Sequence, residues 1–272
     1  MKLPRLCAAV GVLLLLAGCA TSPTGRHQLM LVSSSDVQQM GIASFNDMRK
    51  AGKFADKPRE RAYATCVADA LINVLPAPWK TQKWEVEIIN DQSANAFALP
   101  GARIGVNEGM FKVATDQDQL AVVLGHELSH VVARHGQERV SDNLAAKIGV
   151  TAASIVGAAN GLDPNATQAL LGAGSQVGFL LPFSRAQESE ADTMGQRYMA
   201  EAGFNPEAAV ALWQKMDKLG NAPSSFLSTH PSPGQRIANM RSGAQKLMPV
   251  YRDALATGHH PACRLNARAN TR

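Results

Sequence analysis

His126-Glu127-Leu128-Ser129-His130 is the stretch of sequence that decides the fold. In an α-helix, residues four positions apart lie on the same face, one turn above each other. The two imidazoles of this His-Glu-x-x-His pattern can therefore reach one zinc ion, with the carboxylate of Glu127 beside them as a proton acceptor. The alternative interpretation is a hydrogen-bonded pair of core histidines. We interpret the pattern as a zinc-binding helix.

The residues before the motif predict that it lies on a helix. Thr115 and Asp118 have the spacing of a capping box. They are followed by Leu120, Val123 and Leu124 at helical spacing. We therefore expect one helix that begins near Thr115 and carries the motif.

A catalytic zinc ion needs a third protein ligand and an open position for water. The extended motif of the metzincins is excluded, because the chain has Ala133 and Gly136 where that motif has glycine and histidine. His135 lies about 140° round the helix from His130 and points elsewhere. Residues 143–162 contain no acidic side chain, which removes the short spacing of thermolysin-like enzymes. The third ligand is therefore expected further along the chain.

The next dense group of acidic residues follows Ser184 and predicts a second helix, because Ser184 and Gln187 have the spacing of a capping box. Glu188 and Asp192 fall on its small and apolar face, whereas Glu190 falls on the polar face. A buried carboxylate needs a cation, and a zinc ion with its histidines would supply one. We interpret Glu188 as the third zinc ligand and Asp192 as the acceptor that orients a zinc-bound imidazole. A solvated acidic helix start, favoured by the helix dipole, is the alternative.

The chain resembles metallopeptidase family forty-eight over about residues 30 to 250. Four stretches carry the resemblance: His126 to His130, Glu188 to Asp192, Asn95-Ala-Phe-Ala-Leu-Pro-Gly101 and Thr229-His-Pro-x-Pro-x-x-Arg236. That family includes the CAAX prenyl protease, the HtpX-type membrane proteases, the mitochondrial inner-membrane quality-control protease and the BepA-type periplasmic proteases. The chain is most similar to the BepA-type branch, without the tetratricopeptide repeats of that branch.

The resemblance implies a fold, a cofactor and a ligand set. The implied fold is α+β, a mainly helical zincin domain of the gluzincin type with a small antiparallel β-sheet beside the motif helix. The resemblance further implies one zinc ion per chain, with His126, His130 and Glu188 as its ligands. It also implies Glu127 as the general base and Asp192 as a catalytic helper.

A β-hairpin is predicted just upstream of the motif helix. Two stretches, 84–90 and 95–99, alternate apolar and polar residues in the manner of half-buried strands, and a turn at Pro100-Gly101 leads from the second into 104–106. In zincins, an edge strand of this kind holds an extended substrate by main-chain hydrogen bonds. We therefore expect Asn95, Ala96 and Phe97 to bind substrate, although a plain turn asparagine is the alternative for Asn95.

Two residues near the end of the resemblance are candidate catalytic groups. His230 lies between Thr229 and Pro231, just ahead of a predicted helix start, so its side chain can be aimed. We interpret His230 either as a stabiliser of the transition state or as a removable fourth zinc ligand that keeps the enzyme latent. Arg236 is the accompanying charged donor. Both roles depend on the resemblance, because the residues alone are equally typical of an ordinary loop.

The N-terminus has the features of a bacterial lipoprotein signal. A basic start is followed by a short apolar run and by Leu16-Ala-Gly-Cys19. We therefore expect a signal peptide over 1–18, lipidation of Cys19 and a lipid-anchored tether over 19–35, with an ordinary signal peptide as the alternative. Ala20 after the cysteine predicts the outer membrane of a Gram-negative bacterium, on its periplasmic face.

The remaining chain is predicted to form a zinc metallopeptidase domain over 36–250 and a tail over 251–272. Cys66 and Cys263 remain as a pair for a possible disulfide, and two buried thiols are the rival interpretation. The formal net charge is +5, but no basic stripe is interleaved with aromatic residues, so nucleic acid is not an expected partner.

These features predict a zinc-dependent endopeptidase for the quality control of misfolded or unassembled cell-envelope proteins, with Glu127 taking a proton from a zinc-activated water. The expected partners are such substrates, the membrane through the lipid anchor, and the outer-membrane assembly machinery. A chaperone-like assembly factor with a zinc site capped by His230 is the alternative. An aminopeptidase is disfavoured, since no acidic motif for a free amine is present.

The Gly- and Ala-rich segment 148–183 is interpreted as a lid or membrane-facing flap, or else as a packed helical hairpin.

Overall fold

The computed structural model describes residues 19–159, 183–219, 226, 230 and 235–265. Its strands are β1 (Cys19–Thr21), β2 (His27–Leu29), β3 (Glu85–Ile89), β4 (Ala96–Leu99) and β5 (Arg103–Asn107). Its helices are α1 (Ser34–Lys50), α2 (Pro58–Ile72), α3 (Met110–Val113), α4 (Gln117–Val132), α5 (His135–Ala159), α6 (Arg185–Glu201), α7 (Ala208–Leu219) and α8 (Arg236–Ala256). The chain divides into two compact units: Met1–Val37 with Arg134–Leu181, and Gln38–Ala133 with Pro182–Arg272.

In the first unit, the short antiparallel hairpin of β1 and β2 packs against the start of α5. Arg26 forms a two-point ion pair with Glu138, with Nη2 2.7 Å from Oε2. Gln28 Nε2 donates to the same oxygen at 3.1 Å. Glu138 is buried, so these two donors replace the water that its carboxylate loses. The predicted tether over 19–35 is therefore more ordered than expected of a plain linker.

Several predicted features lie outside the described residues. They include the signal peptide over 1–18 and residues 160–182 of the predicted lid. Cys19 is exposed at the start of β1, and its lipidation stays a prediction. Among the helices that the structure describes, none combines the length and apolar character needed to cross a bilayer.

The second unit contains a three-stranded sheet in the order β3-β5-β4. Strands β4 and β5 form the predicted antiparallel hairpin, with Gly101 at its turn in the left-handed region (φ +87°), where a glycine is not strained. Strand β3 runs parallel to β5, a pairing direction that the alternation of apolar and polar residues does not specify. Strand β4 is therefore at one edge of this sheet.

Helix α4, which carries the His-Glu-x-x-His motif, is the central helix of the second unit. It contacts α2, α6, α7 and β4, and α8 in turn packs on α6 and α7. Every residue of α4 from Gln119 to Val132 is buried, so the motif is enclosed on all sides of the helix. The arrangement confirms the predicted fold class, a mainly helical domain with a small sheet beside the motif helix.

A disulfide joins Cys66 of α2 to Cys263, near the end of the described chain. Their Cα atoms are 5.7 Å apart, a separation within the usual range for such bonds. The two cysteines are 197 residues apart in sequence. The bond therefore restricts the unfolded chain more than a bond across a short loop would.

Candidate metal centre

The motif helix begins at a different cap from the one predicted. The N-cap is Asp116 rather than Thr115, and its carboxylate accepts a hydrogen bond from Gln119 N at 2.8 Å. An aspartate is favoured at this position because its negative charge also complements the helix dipole. The helix then continues to Val132, so the motif histidines lie one turn apart near its end.

Four buried side chains converge beside this helix: His126, His130, Glu188 and His230. The Nε2 atom of His126 lies 3.0 Å from His130 Nε2 and 3.1 Å from His230 Nδ1. Glu188 Oε1 lies 2.9 Å from His230 Nδ1 and 3.4 Å from His130 Nε2. One potential ligand atom from each residue lies within 4.8 Å of the others, so the group could hold one metal ion. The structure thus brings the three predicted ligands together with His230, the residue predicted either as a removable fourth ligand or as a stabiliser of the transition state.

A pair of glycines lets α6 approach α4 closely enough for Glu188 to reach the histidines. A Cβ atom on Gly195 would lie 2.8 Å from the backbone nitrogen of His126, and one on Gly125 would lie 3.0 Å from Gly195 O. Atoms in non-bonded contact are normally about 3.5–4.0 Å apart. Any larger residue at these positions would therefore push the two helices apart.

Gly195→Ala is expected to lower the free energy of unfolding by about 1–3 kcal/mol, because its Cβ atom would overlap the backbone of α4. Gly149→Ala is a matched control, since Gly149 is also helical but an added Cβ atom meets no described atom within 4 Å. That control is expected to gain up to about 1 kcal/mol from helix propensity. Denaturant unfolding of both metal-free variants measures the difference. Equal stability of Gly195→Ala and the wild type would contradict the close approach.

Asp192 and Arg236 contact two residues of the metal group through atoms that do not face its centre. Asp192 Oδ1 accepts a hydrogen bond from His126 Nδ1 at 2.9 Å, the arrangement that the sequence predicted for this carboxylate. Arg236 Nη2 donates to Asp192 Oδ1 at 2.6 Å, and its Nη1 lies 2.9 Å from Glu188 Oε2. Arg236 is only 2% exposed, so the two carboxylates must balance its charge. The catalytic roles of both residues stay predictions.

The charges of the group change the pKa values of its members. Burial alone would lower the pKa of His126, but the carboxylates of Glu188 and Asp192 outweigh it and raise the pKa to about 9. Burial lowers the pKa of His130 well below its usual value. Burial opposes ionisation of Glu188, but His126 and hydrogen bonds from the neighbouring histidines hold its pKa below the usual range. Glu188 is therefore anionic and His130 neutral, the forms that bind a metal.

Glu127 faces His230 and strand β4. Its Oε1 atom lies 3.3 Å from His230 Nε2 and has no hydrogen-bond partner among the described residues. Burial raises the pKa of Glu127, and electrostatic interactions with His230 and His126 and the backbone N–H of Ala98 oppose this shift only in part. A buried carboxylate oxygen without a partner is costly. This atom is therefore available to a bound molecule.

The predicted substrate-binding residues Asn95, Ala96 and Phe97 are divided between the two sides of β4. Asn107 N donates to Asn95 O at 3.0 Å. By the alternation of an antiparallel pair, the main-chain groups of Asn95 and Phe97 face β5, whereas those of Ala96 and Ala98 face the outer edge. The Asn95 side chain accepts a hydrogen bond from Ala96 N at 2.9 Å, a local contact typical of a turn asparagine. The outer edge is thus formed by Ala96 and Ala98.

Three aromatic residues that no sequence motif indicated contact the metal group or the residue that supports it. Phe226 stacks on the ring of His230 with centroids 4.3 Å apart, and Phe183 lies 3.9 Å from the ring of the second motif histidine. Trp213 stacks on the guanidinium of Arg236. Single aromatic residues are common in any core, so only the packed structure assigns these three to the site.

The donor set fits a zinc ion. Three imidazole nitrogens and a carboxylate are ligands that zinc takes in proteins. Four separations between their ligand atoms lie between 2.9 and 3.4 Å, and all four atoms lie within 4.8 Å of one another. A tetrahedron with zinc–nitrogen bonds of about 2.0–2.1 Å has edges of about 3.3 Å. Because Asp192 accepts a hydrogen bond from Nδ1 of His126, the Nε2 atom of that ring faces the group and would bind the ion once its proton is displaced.

Comparisons with known proteins find relatives that share this region. The sequence profile of Peptidase family M48 matches residues 58–244. Mitochondrial metalloendopeptidase OMA1 of Schizosaccharomyces pombe is 42% identical over 159 residues, covering 57% of this chain and 45% of the relative. The protein of the same name from Arabidopsis thaliana is 36% identical, covering 64% of this chain and 34% of the relative. The beta-barrel assembly-enhancing protease of Escherichia coli K12 is 30% identical over 232 residues, covering 80% of this chain and 46% of the relative. The chain thus spans about half the length of these relatives or less.

These matches confirm the predicted class, zinc metallopeptidases of family forty-eight. They contradict the predicted location. The prediction of the outer membrane of a Gram-negative bacterium, on its periplasmic face, is wrong, because relatives at 42% and 36% identity are mitochondrial proteins. That prediction depended on a lipobox of four residues, a much shorter signal than a match across a whole domain. The narrower assignment to the BepA-type branch is not established, since both groups of relatives match.

Proposed function

Because the chain belongs to Peptidase family M48, we propose that it is a zinc-dependent metalloendopeptidase that hydrolyses internal peptide bonds of misfolded or unassembled proteins. The observation that carries the proposal is the convergence of His126, His130 and Glu188 from two helices, with Glu127 beside them. Three protein ligands and an adjacent buried carboxylate are what hydrolysis at a zinc site requires.

The zinc ion would be held by His126, His130 and Glu188. When bound, it supplies a Lewis acid that polarises the peptide carbonyl and lowers the pKa of a water molecule to about 7. Glu127 accepts the proton of the attacking water at Oε1, the buried atom without a hydrogen-bond partner in the described part of the chain. Its raised pKa suits this role, because the carboxylic acid so formed can donate the proton to the leaving amine.

An extended segment of substrate would lie along the outer edge of β4, where the main-chain groups of Ala96 and Ala98 point away from β5. The backbone N–H of Ala98 interacts with Glu127, so a peptide bond held at this edge would lie beside the proton acceptor. Main-chain hydrogen bonds give affinity with little sequence preference. This suits an enzyme whose substrates share an unfolded state rather than a sequence.

Cleavage of unfolded casein by the full chain tests the proposal. We expect internal fragments, loss of activity when a chelator removes the zinc, and recovery when zinc is added back. Release of single amino acids from the chain ends would instead favour an aminopeptidase. A chain that binds one zinc ion but cleaves no unfolded protein would contradict the proposal.

Zinc affinity is expected to keep rising between pH 6.5 and 9. Because Glu188 and Asp192 raise the pKa of His126 from 6.5 to about 9, zinc must displace a proton throughout this window. The association constant should rise about tenfold per pH unit, whereas a histidine of ordinary pKa would give a plateau above about pH 7. By the same linkage, the stability that protonated His126 gives the metal-free chain is complete below pH 6.5 and lost towards pH 9. Competition titrations with a chromogenic chelator measure the slope, and a constant affinity from pH 7 to 9 would contradict it.

A second candidate function is that of a chaperone-like assembly factor with a latent metal site. It is favoured by His230, whose Nδ1 lies 3.1 Å from His126 Nε2 and 2.9 Å from Glu188 Oε1, where it can take the coordination position that water needs. His230→Ala separates the possibilities. Faster casein cleavage would indicate a removable fourth ligand, and slower cleavage a transition-state stabiliser. If the wild type and the variant both bind zinc and neither cleaves, the assembly factor is favoured.

A further inference from the structure

Trp213 is not one of the four residues of the metal group. It contacts Arg236, which is paired with Glu188, and Phe226, which stacks on His230. It lies on α7 and is 2% exposed. The guanidinium of Arg236 lies over its indole, with Cζ 3.5 Å from the ring centroid. The ring of Phe226 packs edge-on against the same indole, with centroids 5.6 Å apart.

Arg236 connects Trp213 to the acidic side of the group. Its Nη1 lies 2.9 Å from Glu188 Oε2, and its Nη2 donates to Asp192 Oδ1 at 2.6 Å. The remaining nitrogen, Nε, has no hydrogen-bond partner among the described residues. A planar guanidinium that is buried in this way depends on an aromatic face for the attraction that water would otherwise provide. The indole therefore fixes the plane in which Arg236 meets the two carboxylates.

Phe226 connects Trp213 to His230, the fourth residue of the metal group. Its ring stacks on His230 with an interplanar angle of 16°. Its carbonyl oxygen accepts a hydrogen bond from His230 N at 2.9 Å, and its own N–H donates to Ala94 O at 3.0 Å. The Trp213 indole packs against this ring and so limits where His230 can lie.

We infer that Trp213 is a positioning residue that sets the zinc affinity of the site, acting mainly through Arg236. The inference rests on the proposed zinc site of His126, His130 and Glu188. Arg236 holds Glu188 by Oε2, which leaves Oε1 directed at the histidines. Without the indole face, the guanidinium can tilt, and the carboxylate loses the contact that fixes this orientation.

Zinc affinity of the full chain, measured by competition with a chromogenic chelator, tests the inference. Trp213→Leu is expected to weaken zinc binding about 10- to 100-fold, as loss of an outer-shell partner does in other zinc sites. Trp213→Phe restores an aromatic face and should recover most of the affinity. The visible spectrum of the cobalt-substituted chain should change in Trp213→Leu, because the arrangement of the ligands changes. Met216→Ala is the matched control, since Met216 lies one turn further along α7 and is also 2% exposed.

A fluorinated tryptophan placed at position 213 keeps the shape of the indole but weakens the negative potential of its face. This variant is expected to bind zinc more weakly than the wild type, and it keeps the inference testable if Trp213→Leu does not fold. Unchanged zinc affinity in the fluorinated chain would overturn the inference. So would an equal loss in Trp213→Leu and Met216→Ala, which would indicate general packing. A wild type that binds no zinc would instead overturn the proposed function on which the inference rests.

Discussion

Glu127→Gln is expected to reduce casein hydrolysis by about 100- to 10,000-fold, the usual contribution of a general acid–base group. Glutamine has nearly the same size as glutamate but cannot accept the proton of the attacking water. Glu127 is not one of the four residues whose ligand atoms converge, so zinc binding should stay close to that of the wild type. Initial rates of casein cleavage and the zinc content of the same preparations measure both effects.

Glu201→Gln is the matched control for this substitution. Glu201 lies at the end of α6 and is paired with Arg197 on the surface, and its substitution is expected to change neither rate nor zinc content. Undiminished cleavage by Glu127→Gln would show that another group moves the proton. Loss of zinc from Glu127→Gln would show that Glu127 is a ligand instead.

Glu188→Gln is expected to have two large effects. Zinc affinity should fall by more than the about 10- to 100-fold that loss of an outer-shell partner costs, because Glu188 supplies the third ligand. The metal-free chain should also lose about 3–5 kcal/mol of stability, because Arg236 keeps a buried charge that has lost one of its two carboxylates. Chelator competition and denaturant unfolding measure the two effects separately.

The same control, Glu201→Gln, exchanges a carboxylate for an amide on the same helix and is expected to cost about 0.5 kcal/mol or less. If Glu188→Gln bound zinc as tightly as the wild type, the ligand assignment would be refuted. If the variant lost zinc but not stability, the ion pair with Arg236 would be refuted and the ligand assignment would stand.

The two helices that form the site could be predicted from sequence because their signals are local. A four-residue spacing marks the motif of α4, and the cap at Ser184 marks the start of α6. Their close approach could not be predicted. The glycines that permit it, Gly125 and Gly195, are 70 positions apart, and nothing local in the sequence indicates that they face each other.

Two side chains are more buried than the sequence predicts, because packing overrode local periodicity. Glu190 was predicted to face water but is 5% exposed, since α6 contacts both α4 and α8 and so has little polar surface. The spacing predicts His135 as a surface or helix-end histidine beyond the motif, and only the helix-end position is found. Helix α4 ends at Val132, Arg134 adopts a left-handed conformation (φ 57°), and His135 begins α5 fully buried. The left-handed residue at this break is an arginine, and the nearest glycine, Gly136, lies just inside α5, so the sequence does not mark the position of the break.

The residues of the metal group could be predicted from the sequence and the family resemblance, but the aromatic residues that pack around them could not. Residue types and spacing indicate His126, His130 and Glu188, because few side chains bind zinc, whereas only the family resemblance indicates His230. The contacts of Trp213 and Phe226 with the supporting residues involve ordinary apolar packing, which many sequences would satisfy. Such contacts can be identified only from the distances in a structure.

The most direct test of the central claim is X-ray diffraction from zinc-loaded crystals, measured on both sides of the zinc absorption edge. We expect one anomalous peak per chain, within about 2.0–2.2 Å of His126 Nε2, His130 Nε2 and a carboxylate oxygen of Glu188. A peak elsewhere in the chain, or no peak at this group in fully loaded protein, would contradict the account.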